Sequence, residues 1–270
     1  MRLGLFFNHE LKNCAKVANT IQSAFSEGSG VEFVTGYADA DLGDIDCAIS
    51  IGGDGTFLLT ARTIKGKGIP LYGVDAGRLG FLAYGDTDSA VDDIRRIAAR
   101  DYEVFPIMPL KAEILSDGGA PANLWAFNEI MIVKKFVSRP IAISTYLGDE
   151  QLYSFLSDGI IVSTPVGSTA YALSAGGPII HPEVKCASIV PICAHSLAPR
   201  PVLVPCETVI NIKLDLALDG AILSGDGRDG AELSSGDEVR VTSDQDARVD
   251  VIRMRGWSHT GVLRKKLNLS

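Results

Sequence analysis

The stretch AISIGGDGTFLLTA, residues 48–61, constrains the fold of this chain more than any other. Residues 45–51 form an apolar run that reads as a buried strand, Gly52, Gly53 and Gly55 break it, and residues 56–64 then carry apolar side chains at helical spacing. A strand that passes through glycines straight into a helix belongs to α/β folds, where such turns gather at the carboxyl edge of a mostly parallel sheet. The flanking pattern agrees. Residues 3–7 are a short apolar run, and Leu11, Cys14, Ala15, Ala18, Ile21 and Phe25 follow at helical spacing. Residues 31–34 and 69–74 read as further strands, and 89–100 as a helix opened by acids and closed by arginines.

Beyond Pro109 the pattern changes to short runs split by turn residues: LKAEIL, LWAFNEIMIV, IAISTYL, GIIVST, VINIKL, DEVRVTS and ARVDVIRM. Many strands and little helix predict a β-rich second domain, a sandwich. The expected division is an α/β nucleotide-binding domain over 1–109, rejoined by a segment of about 254–270, and a β-rich domain over 110–253. With 46% hydrophobic residues the chain can build a real core.

A net charge of −8 and a pI near 5.0 give no general basic field for nucleic acid or an anionic membrane, so an anionic ligand must be met locally. No stretch approaches the ~18 apolar residues of a membrane helix, and MRLGLFFNHE turns polar too soon for a signal peptide. The five cysteines contain no C-x-x-C pair, which predicts reduced, mostly buried thiols in a cytoplasmic protein.

Gly52, Gly53 and Gly55 allow close backbone approach, and Thr56 is placed to cap a helix whose amides face an anion. The stretch is neither G-x-x-x-x-G-K-[ST] nor G-x-G-x-x-G, since Leu58 stands where the third glycine would be. Asp54 is either a solvated turn residue or part of a phosphate site. GVDAGRLGFLA, residues 73–83, repeats the strand-then-glycine arrangement, either as a second ligand-binding turn at the same sheet edge or as a structural turn with Arg78 solvated. Asn128 and Glu129 interrupt an apolar run, so they either read a vicinal diol or an adenine edge or end an edge strand in water. Asp158 precedes a strand, close in sequence to Ser168, Thr169, Tyr171 and Ser174, groups that suit an amide, a ribose and a purine; a plain turn aspartate is the alternative. His9, His181, His195 and His259 are scattered, with no H-E-x-x-H, no G-x-S-x-G and no residue assignable as a metal ligand.

Taken in order, GGDGT, GRLGFLA, NE, DGIIVSTPVGSTAYALSAGGPI and PICAHSLAPRPVLVP resemble the bacterial NAD kinases over essentially the whole chain. GGDGT is shared with diacylglycerol-type lipid kinases and loosely with phosphofructokinases; the long glycine-serine-threonine segment is not. The resemblance implies phosphorylation of the 2′-hydroxyl on the adenosine ribose of NAD to give NADP, with ATP or polyphosphate as donor and Mg²⁺ or another divalent cation required. It implies a Rossmann-like, phosphofructokinase-like first domain, a β-sandwich second domain, a site between them, and a homodimer or homotetramer. Carried over by position, Asp54 matches the catalytic base, and Gly52, Gly53, Gly55 and Thr56 the donor-phosphate loop. Asn128, Glu129, Asp158, Ser168, Thr169, Ala170, Tyr171, Ala172, Leu173 and Ser174 match NAD contacts, and Arg139 matches a binding position by counting from Asn128.

Two positions depart from the family pattern: Asp75 stands where many members carry asparagine, and Asp226-Gly227-Arg228 where many carry Asp-Gly-Gln. Arg228 either supplies a charge to a ligand phosphate or is a solvated loop residue. A lipid kinase would share GGDGT but should offer an apolar entry or a basic patch, neither of which is visible; a catalytically silent NAD(P)-binding regulator would not need Asp54 and both glycine loops.

Overall fold

The computed structural model describes residues 1–26, 28–37, 43–77, 80–115, 123–137 and 139–267. The chain forms two compact units, one of residues 1–107 with 246–270 and the other of residues 108–245. The first opens with β1 (Arg2–Phe6), α1 (Lys12–Ser23), β2 (Glu32–Gly36), β3 (Cys47–Gly52), α2 (Asp54–Ile64), β4 (Leu71–Asp75), the two-residue β5 (Gly85–Asp86), α3 (Ala90–Ala98) and β6 (Glu103–Ile107). β1 to β4 pair in parallel, and Leu3, Leu5, Ile49, Ile51 and Val74 have no exposure, as expected for strands covered on both faces. α1 and α3 bury Cys14, Ala18, Ile21, Ile94 and Ile97 in one cluster with Tyr72 and Val74. Gly73 lies between those two strand residues and so faces the other side, where a Cβ would come within 2.9 Å of the Phe57 ring of α2. α2 therefore covers the opposite face.

The second unit contains β7 (Leu110–Ile114), β8 (Asn123–Ala126), β9 (Glu129–Lys134), β10 (Ile141–Leu147), β11 (Glu150–Ser157) and β12 (Gly159–Ser163). A 3₁₀ turn (Val166–Thr169) and the short α4 (Tyr171–Ser174) follow, then β13 (Cys186–Ile192), β14 (Val202–Pro205), β15 (Ile210–Leu216), β16 (Ala221–Gly225), β17 (Arg228–Leu233) and β18 (Glu238–Ser243). These strands make two antiparallel six-stranded sheets, in the orders β11-β10-β15-β18-β7-β8 and β14-β13-β12-β9-β16-β17. Ala112, Ile143, Ile212 and Val241 of one sheet share a single buried cluster with Ile130, Ile132, Val162 and Leu223 of the other, which makes the unit a sandwich. Alternation along β9 sends Ile130 and Ile132 into that core and Glu129 and Met131 to the opposite face, where Met131 packs with Ala172 and Ala175 around α4.

The chain then returns to the first unit as β19 (Val249–Arg253) and α5 (His259–Lys266). β19 pairs in parallel with β4 and antiparallel with β6, and the seven-stranded sheet runs β2-β1-β3-β4-β19-β6 with β5 beside β4. The sequence pattern places ARVDVIRM with the second domain, whereas the structure seats this strand inside the first sheet. Its alternation identifies a strand but carries no information about which sheet accepts it.

Candidate active site

In the first unit the site grows from the β3–α2 turn. α2 begins at Asp54, with Gly53 in extended geometry as its N-cap, so Thr56 sits within the first turn and is not the cap that the sequence suggests. A Cβ on Gly52 would strike the Thr56 hydroxyl, which fixes glycine there by contact. Asp54 at the first helical position is favoured by the helix dipole. Its carboxylate is also held from outside: the backbone amide of Phe81 donates to Oδ2 and that of Leu82 to Oδ1, each at 2.9 Å. Asp75, at the end of β4, accepts from the amides of Gly77 at 3.0 Å and Gly80 at 2.9 Å. Two carboxylates thus fasten the second glycine loop; Arg78 of that loop lies outside the described residues. Gly80 presses so close that a Cβ would collide with the Asp54 carboxylate.

The second unit builds a different corner. The sequence reads LWAFNEIMIV as one run, but Phe127 and Asn128 separate β8 from β9. The cause is Asp226. It opens a two-residue hairpin turn between β16 and β17, with φ of 49° at Asp226 and 71° at Gly227, the geometry for which Asp-Gly is favoured. Its Oδ1 accepts from the amides of Asn128 at 2.7 Å and Glu129 at 3.2 Å, and its Oδ2 from that of Phe127 at 3.0 Å. Thr164 adds a second tie, donating to the Phe127 carbonyl at 2.6 Å and accepting from Gly167 at 3.0 Å. Gly167 lies against the Asn128 backbone with no room for a Cβ.

This scaffold leaves polar atoms with unmet capacity. Asn128 Oδ1 and Glu129 Oε2 are buried without a hydrogen-bond partner among the described residues. Burial and the neighbouring Asp226 charge push the Glu129 carboxyl up to about 7, against the pull of a hydrogen bond from the Tyr171 amide. The Tyr171 ring stays 45% exposed beside it. Such a corner can engage a diol or an amine edge and offer a ring face to a base.

The predicted residues divide accordingly. Ser168 is fully buried, its hydroxyl donating to the backbone carbonyls of Pro165 and Ile180 and accepting from the Ile180 amide, so it pins the loop. Ala172 packs inward, Thr169, Ala170 and Leu173 are half-buried, and Ser174 and Tyr171 face outward. Asp158 is not with Asn128 and Glu129. Antiparallel pairing sets Ser163 opposite Glu129 and Gly159 opposite Val133, so β12 carries the chain from one end of β9 to the other. Asp158 is bound there to Lys134 Nζ at 2.5 Å, roughly 16 Å of strand away from Glu129. Arg139 is exposed beyond that same end, and Arg228 is exposed just past the hairpin turn.

Sequence reasoning missed the anchoring role of Asp226, whose signal was the Asp-Gly dipeptide, and missed Lys266 of α5, which carries no motif. Lys266 Nζ lies 4.4 Å from the centre of the Phe81 ring. Among the described residues no group of three or more His, Cys, Asp or Glu could hold a metal ion, and both Asp54 oxygens already accept amides.

Residues 5–102 match the ATP-NAD kinase N-terminal domain and residues 127–254 the ATP-NAD kinase C-terminal domain. An NAD kinase of Geobacter sp. strain M21 is 41% identical over 226 residues, 83% of this chain and 78% of that protein. One of Aromatoleum aromaticum is 38% identical over 248 residues, 92% of this chain and 82% of its own length. The fold is shared with yeast NADH kinase complexed with NADH, at a TM-score of 0.89 and 21% identity over 100% of this chain and 88% of that one. It is also shared with an Archaeoglobus fulgidus NAD kinase in complex with ATP, at a TM-score of 0.73 and 22% identity over 99% and 98%.

Proposed function

This chain belongs to the NAD kinase family, and on that premise we propose that Asp54 is the base of its phosphoryl transfer. The overall reaction is the phosphorylation of NAD to NADP with ATP. The 2′-hydroxyl of the adenosine ribose attacks the γ-phosphorus, the bond from that phosphorus to the bridging oxygen breaks, and ADP leaves. The hydroxyl proton passes to a carboxylate, late, because the transition state is loose. A weak base suffices for such a step if it is well placed.

The observation that carries the reading is the double amide clamp on Asp54. Each carboxylate oxygen has two lone-pair directions and spends one on an amide, so each keeps one for a hydroxyl. The clamp removes the rotamer freedom that would otherwise blur the position of the base. In the second unit Asn128 and Glu129 are assigned to the acceptor nucleotide, supported by their unpartnered buried oxygens, with Tyr171 as a stacking face for adenine. Asp158 and Arg139 are left out of this assignment. A divalent cation enters as the metal of MgATP, a substrate held chiefly by phosphate oxygens. Whether polyphosphate replaces ATP is read in the same assay.

Asp54→Asn keeps size and shape but cannot take the proton. NADP formation at saturating NAD and ATP should fall by ~10²–10⁴-fold, while NAD affinity by calorimetry stays within a few fold. Turnover within a few fold of the parent would move the base elsewhere. We further read the enzyme as a cytoplasmic homodimer or homotetramer. Its cysteines are free, and Leu156 of β11 and Leu203 of β14, both edge strands, expose apolar side chains. Light scattering at micromolar concentration gives the subunit number.

A further inference from the structure

α5 places one cation where the first unit's acids converge. The helix is capped by the Ser258 hydroxyl, which accepts from Gly261 at 3.3 Å, and its last turn holds Arg264, Lys265 and Lys266. The Lys266 ammonium is shielded from solvent yet has no hydrogen-bond partner among the described residues. It rests over the ring of Phe81, whose own backbone amide holds Asp54. Burial lowers the affinity of this lysine for its proton, while the charges of Asp54 and Asp75 pull the other way.

Neither acid claims the lysine. Asp54 is held by the Phe81 and Leu82 amides and Asp75 by those of Gly77 and Gly80, with no ion pair from either to Lys266 among the described residues. An ammonium has three donors, and leaving all of them unmet out of water is costly. Lys266 also borders a cavity of about 320 Å³, whose lining includes Lys265, Gly77, Gly80 and the two carboxylates Asp75 and Asp86. Its size lies at the small end of ligand sites, enough for a chain of phosphates without its nucleoside.

We propose that Lys266 binds the terminal phosphates of the nucleoside triphosphate donor in this cavity, bringing the group to be transferred toward Asp54. The inference rests on the reading of Asp54 as base. A lysine acts on phosphate as a point charge that its flexible stem can aim, so it can leave the Phe81 face when an oxyanion arrives. It also offsets the repulsion between an acidic turn and a polyanion, which glycine amides alone do not remove.

The test compares the full chain with Lys266→Met, which retains the apolar stem over Phe81, and Lys266→Arg, which retains the charge. For Lys266→Met, kcat/KM for ATP should fall on the order of 10²-fold with KM for NAD unchanged within twofold, and Lys266→Arg should recover part of the loss. Inorganic tripolyphosphate, titrated by calorimetry without any turnover, should bind the parent and lose at least about tenfold in affinity in Lys266→Met. The inference is overturned if Lys266→Met keeps both quantities within threefold. It is equally overturned if the variant melts lower and loses NAD and ATP saturation together, which marks a packing role. Asp54→Asn in the same assay judges the underlying reading separately: parental turnover there defeats the base assignment whatever Lys266 does.

Discussion

Glu129 keeps its proton in the folded chain over a pH range in which the unfolded chain has lost it. The side chain is 7% exposed, and desolvation together with the Asp226 charge holds the carboxyl at about 7, against 4.5 for an ordinary glutamate. An acid whose folded value is raised is bound more tightly to its proton in the native state. Stability from this group is therefore intact below about pH 4.5 and falls as pH climbs toward 7, by a ceiling of about 3 kcal/mol. Glu129→Gln removes the ionisation. It should unfold at higher urea than the parent at pH 8, and the difference should shrink toward pH 5; a constant offset would show that Glu129 does not titrate there. The sequence made the Asn-Glu pair visible, because two polar groups inside an apolar run need a reason. It could not show the proton, since that depends first on burial in the folded chain and then on Asp226, nearly a hundred positions away and brought in by a hairpin.

That hairpin is the element through which the Asn128–Glu129 corner is shaped. β16 and β17 turn on Asp226-Gly227, and the turn residue serves three amides at the β8–β9 break. Asp226→Ala leaves those donors without an acceptor, a loss of ~1–3 kcal/mol, and should lower the melting temperature by several degrees and weaken NAD binding at least about tenfold. Asp226→Asn tolerates the same backbone and keeps an acceptor, so it should do much less harm. Equal effects of the two substitutions, by thermal melts and NAD titration, would contradict the capping account. Elements of this kind were only partly legible. Parallel strands announced themselves as apolar runs and the sandwich strands as alternation. The break at Phe127–Asn128 did not, for it contains neither glycine nor proline and is imposed by a carboxylate from a distant hairpin turn. Asp158 shows the converse: it is near the loop hydroxyls in sequence, yet the five residues of β12 span the distance between them.

At the scale of the molecule, the two units differ in how they are closed. Both sheets of the sandwich and the core they enclose come from one continuous segment, residues 108–245. That fragment alone should unfold cooperatively in urea and give dispersed amide resonances. The fragment 1–107 should do neither, because β4 and β6 lose the strand that joins them. Cooperative unfolding of 1–107 on its own would refute this. The return strand is fastened at its end as well, with the Arg253 guanidinium 3.8 Å from the centre of the Phe105 ring and 4.1 Å from that of Trp257. Because β19 is translated after the whole sandwich, ribosome-bound chains carry a first sheet with a gap in it, and at 5–20 residues per second that gap stays open for roughly ten seconds. During synthesis the order of folding is thus reversed relative to the order of the sequence: the later unit is complete first, the earlier one waits with an edge of β4 open and β6 unpaired, and a nascent chain is most open to chaperone capture or misassembly in that interval.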